Sequence, residues 1–158
     1  YINMKTIINV NKKCKRETDL EWGHQKEDEI KATLEKHFQC NLVENETFSV
    51  FDFTGDKIEI EVKSRRNEYS KYPTTMIPQN KVNKAILGLL EQNPSKYYFV
   101  FSFTDGIYFV DVNDENLKKF KQMETGGRKD RGVCEFRQGG YCYIPISILT
   151  KINNINEN

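Results

Sequence analysis

The stretch Lys57 to Ser64, KIEIEVKS, sets Ile58, Ile60 and Val62 in strict alternation with Glu59, Glu61 and Lys63. A period of two is that of a β-strand, and it sends the three apolar side chains to one face and the two acids and the lysine to the other. Just upstream, Thr47 to Phe53 is rich in aromatic and β-branched residues, and Thr54-Gly55-Asp56 supplies a turn signal between the two segments. The pair is expected to form an antiparallel hairpin. With Gly55-Asp56 as its two-residue turn, Phe53 pairs with Ile58 and Asp52 with Glu59, and opposed residues share a face. Asp52 then lies across from Glu59 and diagonal to Glu61, so three carboxylates converge with the Lys63 ammonium.

The flanking sequence supplies helices on both sides. Thr18 or Asp19 begins a helical pattern, with acids in its early turns and Ile30, Leu34 and Phe38 at four-residue spacing, which predicts a helix over 19–38. Asn41 to Glu44 adds a short strand before the hairpin. A loop rich in Arg, Tyr and Pro, 65–78, leads to a second helix over 79–92, whose apolar face is Val82, Ile86, Leu89 and Leu90 and which ends at Asn93-Pro94. The runs 96–103 (KYYFVFSF) and 107–112 (IYFVDV), separated by Asp105-Gly106, predict a second hairpin. A short helix from Asp114 to Met123, a basic Gly-rich loop over 125–132, and a last hairpin of 133–138 and 141–146 across Gly139-Gly140 complete the order. The expected class is α+β, a mixed sheet flanked by helices with a C-terminal β-hairpin. One domain over 17–150 is expected, with a basic arm at 1–16 and an Asn-rich, frayed tail at 151–158.

Composition excludes several classes. Twenty-four Lys and Arg against 23 Asp and Glu leave a net charge of +1, so no global charge imbalance names a partner. No apolar run approaches the roughly 18 residues of a membrane span, and the N-terminus lacks the apolar stretch of a signal peptide; an intracellular, non-secreted protein is expected. Cys14, Cys40, Cys134 and Cys142 are too few and too irregularly spaced for a disulfide scaffold and read as reduced thiols. His37 and Cys40 resemble half a zinc site, but Cys134 and Cys142 fall on opposite faces of the predicted last hairpin and do not complete it. No Gly-rich phosphate loop is present.

Clustered carboxylates are unfavourable unless they are solvated or share a cation, and carboxylate oxygens are the ligands Mg²⁺ prefers. Such an ion polarises phosphoryl oxygens and lowers the pKa of bound water, and a lysine one pair along the same face can hold or deprotonate that water or neutralise developing charge. The plainer alternative is a solvent-facing, charge-paired strand. The Glu-x-Lys triplet does not decide between them: composition predicts about 1.7 such triplets by chance, and the chain has two, at Glu29-Ile30-Lys31 and Glu61-Val62-Lys63. What distinguishes the second is its place at the end of an alternating strand, behind an acidic strand and ahead of a basic loop and a helix.

In this order and with these residues the chain resembles the PD-(D/E)XK nuclease superfamily, whose αβββαβ core carries an acid on the second strand and Glu-x-Lys on the third. The resemblance covers about residues 19–112, although Phe51 rather than Pro precedes Asp52. It implies a restriction-endonuclease-like fold and a metal-dependent nuclease acting on DNA, an endonuclease before an exonuclease, with Mg²⁺ or Mn²⁺ as cofactor. It implies that Asp52, Glu61 and the Val62 carbonyl hold the ion and that Lys63 positions the attacking water. Gly23-His24-Gln25-Lys26-Glu27 resembles the family's Gly-x3-Glu helix start, which makes Glu27 the fourth site residue, with Glu29 as runner-up. Gln79 and Lys81, near the start of the second helix, match an accessory position, and Glu59 is an additional acid without an assigned role. The stretch Arg65 to Lys81 further resembles small viral and phage members.

Charge is unevenly distributed along the chain. Lys63, Arg65, Arg66, Lys71, Lys81 and Lys84 face one acid, Glu68, between residues 63 and 84, whereas Glu17 to His37 holds seven acids against three lysines. The basic segment, interleaved with Tyr69 and Tyr72, and the loop residues Arg128, Lys129 and Arg131 are the candidate DNA contacts. Trp22 reads as a packing residue and His24 as surface. DNA is the expected partner, a second copy of the chain a possible one, and a membrane is not. The alternative function is a catalytically inactive nucleic-acid-binding or assembly module of the same fold.

Overall fold

The computed structural model describes residues 15–123 and 140–153, without the side chains of 15–19, 24, 27, 28 and 123. The predicted strand at 133–138, the basic loop with Arg128, Lys129 and Arg131, Cys14 and Cys134 lie outside the described residues.

Helix α1 (Lys15–Phe38) starts four residues earlier than the apolar spacing predicts, inside the segment assigned to the basic arm. It ends where Gln39 takes φ 54°, and the Glu35 carboxylate accepts the Leu42 amide at 2.9 Å. Its buried Ile30 and Leu34 pack against Phe53, Ile58, Ile60, Val62 and Val100. These residues come from β2 (Phe53–Gly55), β3 (Ile58–Ser64) and β5 (Lys96–Phe103), central strands of a six-stranded sheet. With β1 (Val43–Glu44), β6 (Gly106–Asp111) and β9 (Thr150–Ile152), the sheet order is β1-β2-β3-β5-β6-β9. The β3–β5 pair is parallel and its neighbours are antiparallel, so the expected mixed sheet is present. No helix among the described residues is long and apolar enough to cross a membrane.

The other face of the sheet is covered as well. Phe99, Phe101 and Phe103 alternate with Val100 along β5 and meet Val82 and Ala85 of α2 (Gln79–Leu90), Ile77 of β4 (Thr74–Pro78), and Cys142 and Ile144 of β8 (Tyr141–Pro145). Strands β4 and β8, with β7 (Lys121–Met123), form a second, three-stranded sheet in the order β4-β8-β7. β3 is therefore central, and on its acidic side Glu61 is buried while Glu59 and Lys63 are half-buried, which departs from the alternative of a solvent-facing, charge-paired strand.

Several elements differ from the sequence reading. β4 replaces part of the predicted loop at 65–78, where Pro78 ends an edge strand, a place that tolerates its missing N–H. The predicted helix over 114–123 is one turn, α3 (Asp114–Leu117), whose Asn113 side chain accepts the Asn116 amide at 2.9 Å, and the chain then enters β7. Lys151 and Ile152, assigned to the tail, belong to β9, with Ile152 buried against the α1 side of the sheet. The predicted strand over 47–53 is shorter and later, because only Phe53 to Gly55 pairs with β3.

Candidate active site

The β2–β3 turn is Asp56-Lys57, with Lys57 at φ 56°, and not Gly55-Asp56. Gly55 serves packing instead: a Cβ there would stand 2.5 Å from Ile58 Cγ2 and 3.0 Å from Cys40 Sγ. The register moves by two residues, to Phe53 opposite Ile60 and Thr54 opposite Glu59. An even shift keeps every side chain on its face but changes its partner. Asp52 now stands across from Glu61, while Thr54 donates to Glu59 at 2.8 Å and accepts from Asn45 Nδ2 at 2.8 Å. The expected convergence of three carboxylates is therefore corrected to two. Among the described residues no three of His, Cys, Asp and Glu gather where a metal ion could be held.

Asp52 is the residue at which the β2–β3 ladder opens. Its amide donates to the Ile60 carbonyl at 3.0 Å, and its Oδ2 then accepts the Val62 amide at 2.7 Å. A residue's N–H and C=O point the same way in an antiparallel pair, so the Val62 carbonyl is directed toward the Asp52 side as well.

Glu61 is fully buried. Lys63 Nζ lies 2.5 Å from its Oε1 and Lys81 Nζ, reaching in from the first turn of α2, 3.0 Å from its Oε2. Lys81 also donates to the Val50 carbonyl. Each Glu61 oxygen is thus met by one ammonium group. Burial holds the Glu61 carboxyl above the usual carboxylate range; Lys63 and Lys81 pull it down and Asp52 pushes it up. Burial by itself would lower the Lys63 ammonium, but Glu61 and Asp52 more than offset it and hold it above the ordinary lysine value.

Asp52, Val62, Lys63 and Lys81 line a cleft of about 780 Å³ that also takes in Trp22, Arg66 and Tyr72. The Arg66 guanidinium stands 4.6 Å over the Trp22 ring, joining α1 to the segment after β3. Trp22 therefore lines the cleft rather than only packing, and its position directly before Gly23, at the start of the Gly-x3-Glu pattern, is the sequence signal for that place. Glu27 follows Gly23 by four residues in α1, and its side chain lies outside the described residues.

The remaining candidates separate by role. Arg65 lines the cleft but is engaged with β4, through Nε to Thr75 Oγ1 at 3.1 Å and Nη2 to the Met76 carbonyl, and it stands 5.7 Å over Phe101. Gln79 is buried and donates to Asn83 at 2.9 Å, away from the residues lining the cleft. Lys71 lies 5.3 Å over the Tyr72 ring, and Lys84 is exposed on α2 outside the cleft lining. His37 packs against Phe38 and Phe109.

The donor set of two carboxylates and a backbone carbonyl fits a hard divalent cation. The buried Glu61 oxygens already face the Lys63 and Lys81 ammonium groups. Compared with known proteins, the chain matches the family described as "Phage putative PDDEXK endonuclease" over residues 13–152. No curated protein matches it.

Proposed function

The chain belongs to the phage PDDEXK endonuclease family, which implies a restriction-endonuclease-like fold, and from that premise we propose that it is a metal-dependent endonuclease that hydrolyses phosphodiester bonds of DNA. The observation that carries the reading is the juxtaposition of Asp52 and Glu61 at the open end of the β2–β3 ladder, with the Lys63 ammonium 2.5 Å from Glu61. In this reading Asp52, Glu61 and the Val62 carbonyl hold Mg²⁺ or Mn²⁺, and Glu27 assists from α1. A divalent ion there supplies Lewis-acid polarisation of the phosphoryl oxygen. Lys63 holds the attacking water by donating to its oxygen and offsets the charge that builds on the phosphorane. Lys81 keeps Glu61 ionised and fixes the loop at Val50.

Arg66, together with Lys71, Lys84 and the loop residues Arg128, Lys129 and Arg131, contacts the DNA backbone; Arg65 acts chiefly by fastening β4, and Lys81 by holding Glu61 and the Val50 carbonyl. Phosphate contacts of this kind make affinity fall steeply with salt. The test is nicking of supercoiled plasmid with Mg²⁺ or Mn²⁺: the parent converts it to open circle and linear forms, and Asp52→Ala and Lys63→Ala do not. Equal cleavage by the variants and the parent overturns the assignment.

One observation favours a second reading, a DNA-binding module without cleavage: two lysines already neutralise Glu61 from both oxygens. Salt-sensitive DNA binding with no cleavage, and no heat on Mn²⁺ titration, would select it.

A further inference from the structure

The loop that ends at Asp52 carries the most exposed large apolar side chain among the described residues. Asn45 and Asp52 close its base through the Asn45 amide and Asp52 carbonyl at 2.8 Å, and Asn45 Nδ2 donates to the Phe51 carbonyl at 3.1 Å. Lys81 holds the Val50 carbonyl, and Phe51 is buried with its ring 5.6 Å from that of Tyr97. At the tip, the Ser49 amide donates to the Glu46 carbonyl at 2.8 Å, closing a turn with Thr47 and Phe48 at its centre. Thr47 lines the cleft, and Phe48, beside it, is 98% exposed. A single apolar residue on a surface needs no explanation. An aromatic ring on a turn fastened at its base, tip and flank, next to a residue that lines the cleft, is a different matter: the hydrogen-bonded backbone leaves little backbone entropy to be lost when the ring meets a partner.

We propose that Phe48 stacks on an unpaired base, so that the substrate is DNA with unstacked bases next to the scissile phosphate: a fork, flap, gap or bulge in preference to intact duplex. The proposal rests on the nuclease reading of the same cleft. Phe48 lies four residues from Asp52, and an extended chain spans at most about 14 Å over that distance, on the order of four base steps. Inside a continuous duplex the ring could stack only after a base step is opened, which costs free energy that an already unstacked base does not require. Tyr72, half exposed and lining the same cleft, offers a second ring near Lys71. The basic residues of the cleft complement the backbone of such a strand.

The test is fluorescence anisotropy in EDTA with fluorescein-labelled forked DNA and an intact duplex of the same sequence. The parent binds the fork more tightly. Phe48→Ala lowers that preference by about 5- to 150-fold, the range of base–aromatic stacking, and leaves duplex affinity unchanged, while Phe48→Trp keeps the preference. An unchanged preference in Phe48→Ala, or none in the parent, overturns the proposal. So does loss of a homodimer on size-exclusion chromatography in Phe48→Ala with DNA preference intact, because the ring then serves self-association. Cleavage of the same DNAs with Mg²⁺ separates the two readings. A parent that prefers forks but never cleaves sinks the nuclease reading alone, and a parent that cleaves without preference sinks only the role of Phe48.

Discussion

Asp52 Oδ2 accepts the Val62 amide hydrogen at 2.7 Å, so the carboxylate that would bind a metal also terminates the β2–β3 ladder. Substitutions separate the two roles. Asp52→Asn retains an acceptor for Val62 but loses the charge, and it is expected to fold with a urea midpoint near the parent's while nicking falls by at least about 100-fold, as for loss of a group acting on the reacting centre. Asp52→Ala removes the acceptor as well and costs a further ~1–3 kcal/mol of stability for the orphaned amide. Equal stability of the two variants would show that the hydrogen bond is idle.

The Lys63–Glu61–Lys81 cluster predicts non-additive energetics. A carboxylate buried this deeply tolerates loss of one ammonium better than loss of both, because the second loss leaves an uncompensated interior charge. The double variant Lys63→Met/Lys81→Met is expected to lose about 3–5 kcal/mol, more than its single variants sum to. Adding Glu61→Gln to the double variant recovers part of the loss. Urea unfolding of the set checks this, and strict additivity would count against a coupled cluster.

The pH dependence of stability follows from the same residues. The folded Glu61 carboxyl is held above its unfolded value of about 4.3, chiefly by burial. Between those two values the native state binds more protons than the unfolded state, so this group's contribution to stability falls as pH rises, opposite to an ordinary paired carboxylate. Lys63 is raised by Glu61 and Asp52 against the opposing effect of burial. Its contribution is complete below about 10.4 and is lost as pH climbs through the folded value. Glu61→Gln should remove the acid-side slope and Lys63→Met the alkaline one, measured as urea midpoints across pH. A cation binding at Glu61 needs the ionised form, so Mn²⁺ titration should release a proton and weaken on acidification.

Period-two alternation made it legible that Asp52, Glu59, Glu61 and Lys63 share a face, and an even register shift left that intact. The partner of Asp52 was not legible, because Gly55 looks like a turn residue and Lys57 does not, yet Lys57 takes the left-handed conformation while Gly55 makes room for Ile58 and Cys40. The second helix and the aromatic hairpin are local in their signals, and α2, β5 and β6 fall within about two residues of expectation. β4 and β9 are not local: Thr74 pairs with Pro145 and Ile107 with Ile152, so neither segment shows its partner in its own neighbourhood. The same holds for the burial of Glu61, which depends on Lys81 twenty residues later and on a second sheet that closes over that face.

That closing layer leads to Gly88. In an exposed helix Gly→Ala stabilises by about 1 kcal/mol, and α2 is otherwise an ordinary amphipathic helix. A Cβ at Gly88, however, would lie 1.9 Å from the Tyr97 hydroxyl and 2.5 Å from its Cζ. Tyr97 is buried and packs against Phe51, next to the loop base at Asp52, so its ring cannot swing into solvent without opening that core. Overpacking of this kind costs about 1–3 kcal/mol, which outweighs the helix gain, and Gly88→Ala is expected to be destabilising by urea unfolding. Tyr97→Phe removes the hydroxyl that makes the closest approach, so Gly88→Ala should cost less in a Tyr97→Phe background than in the parent. If the penalty is the same in both backgrounds, the hydroxyl contact is not its source.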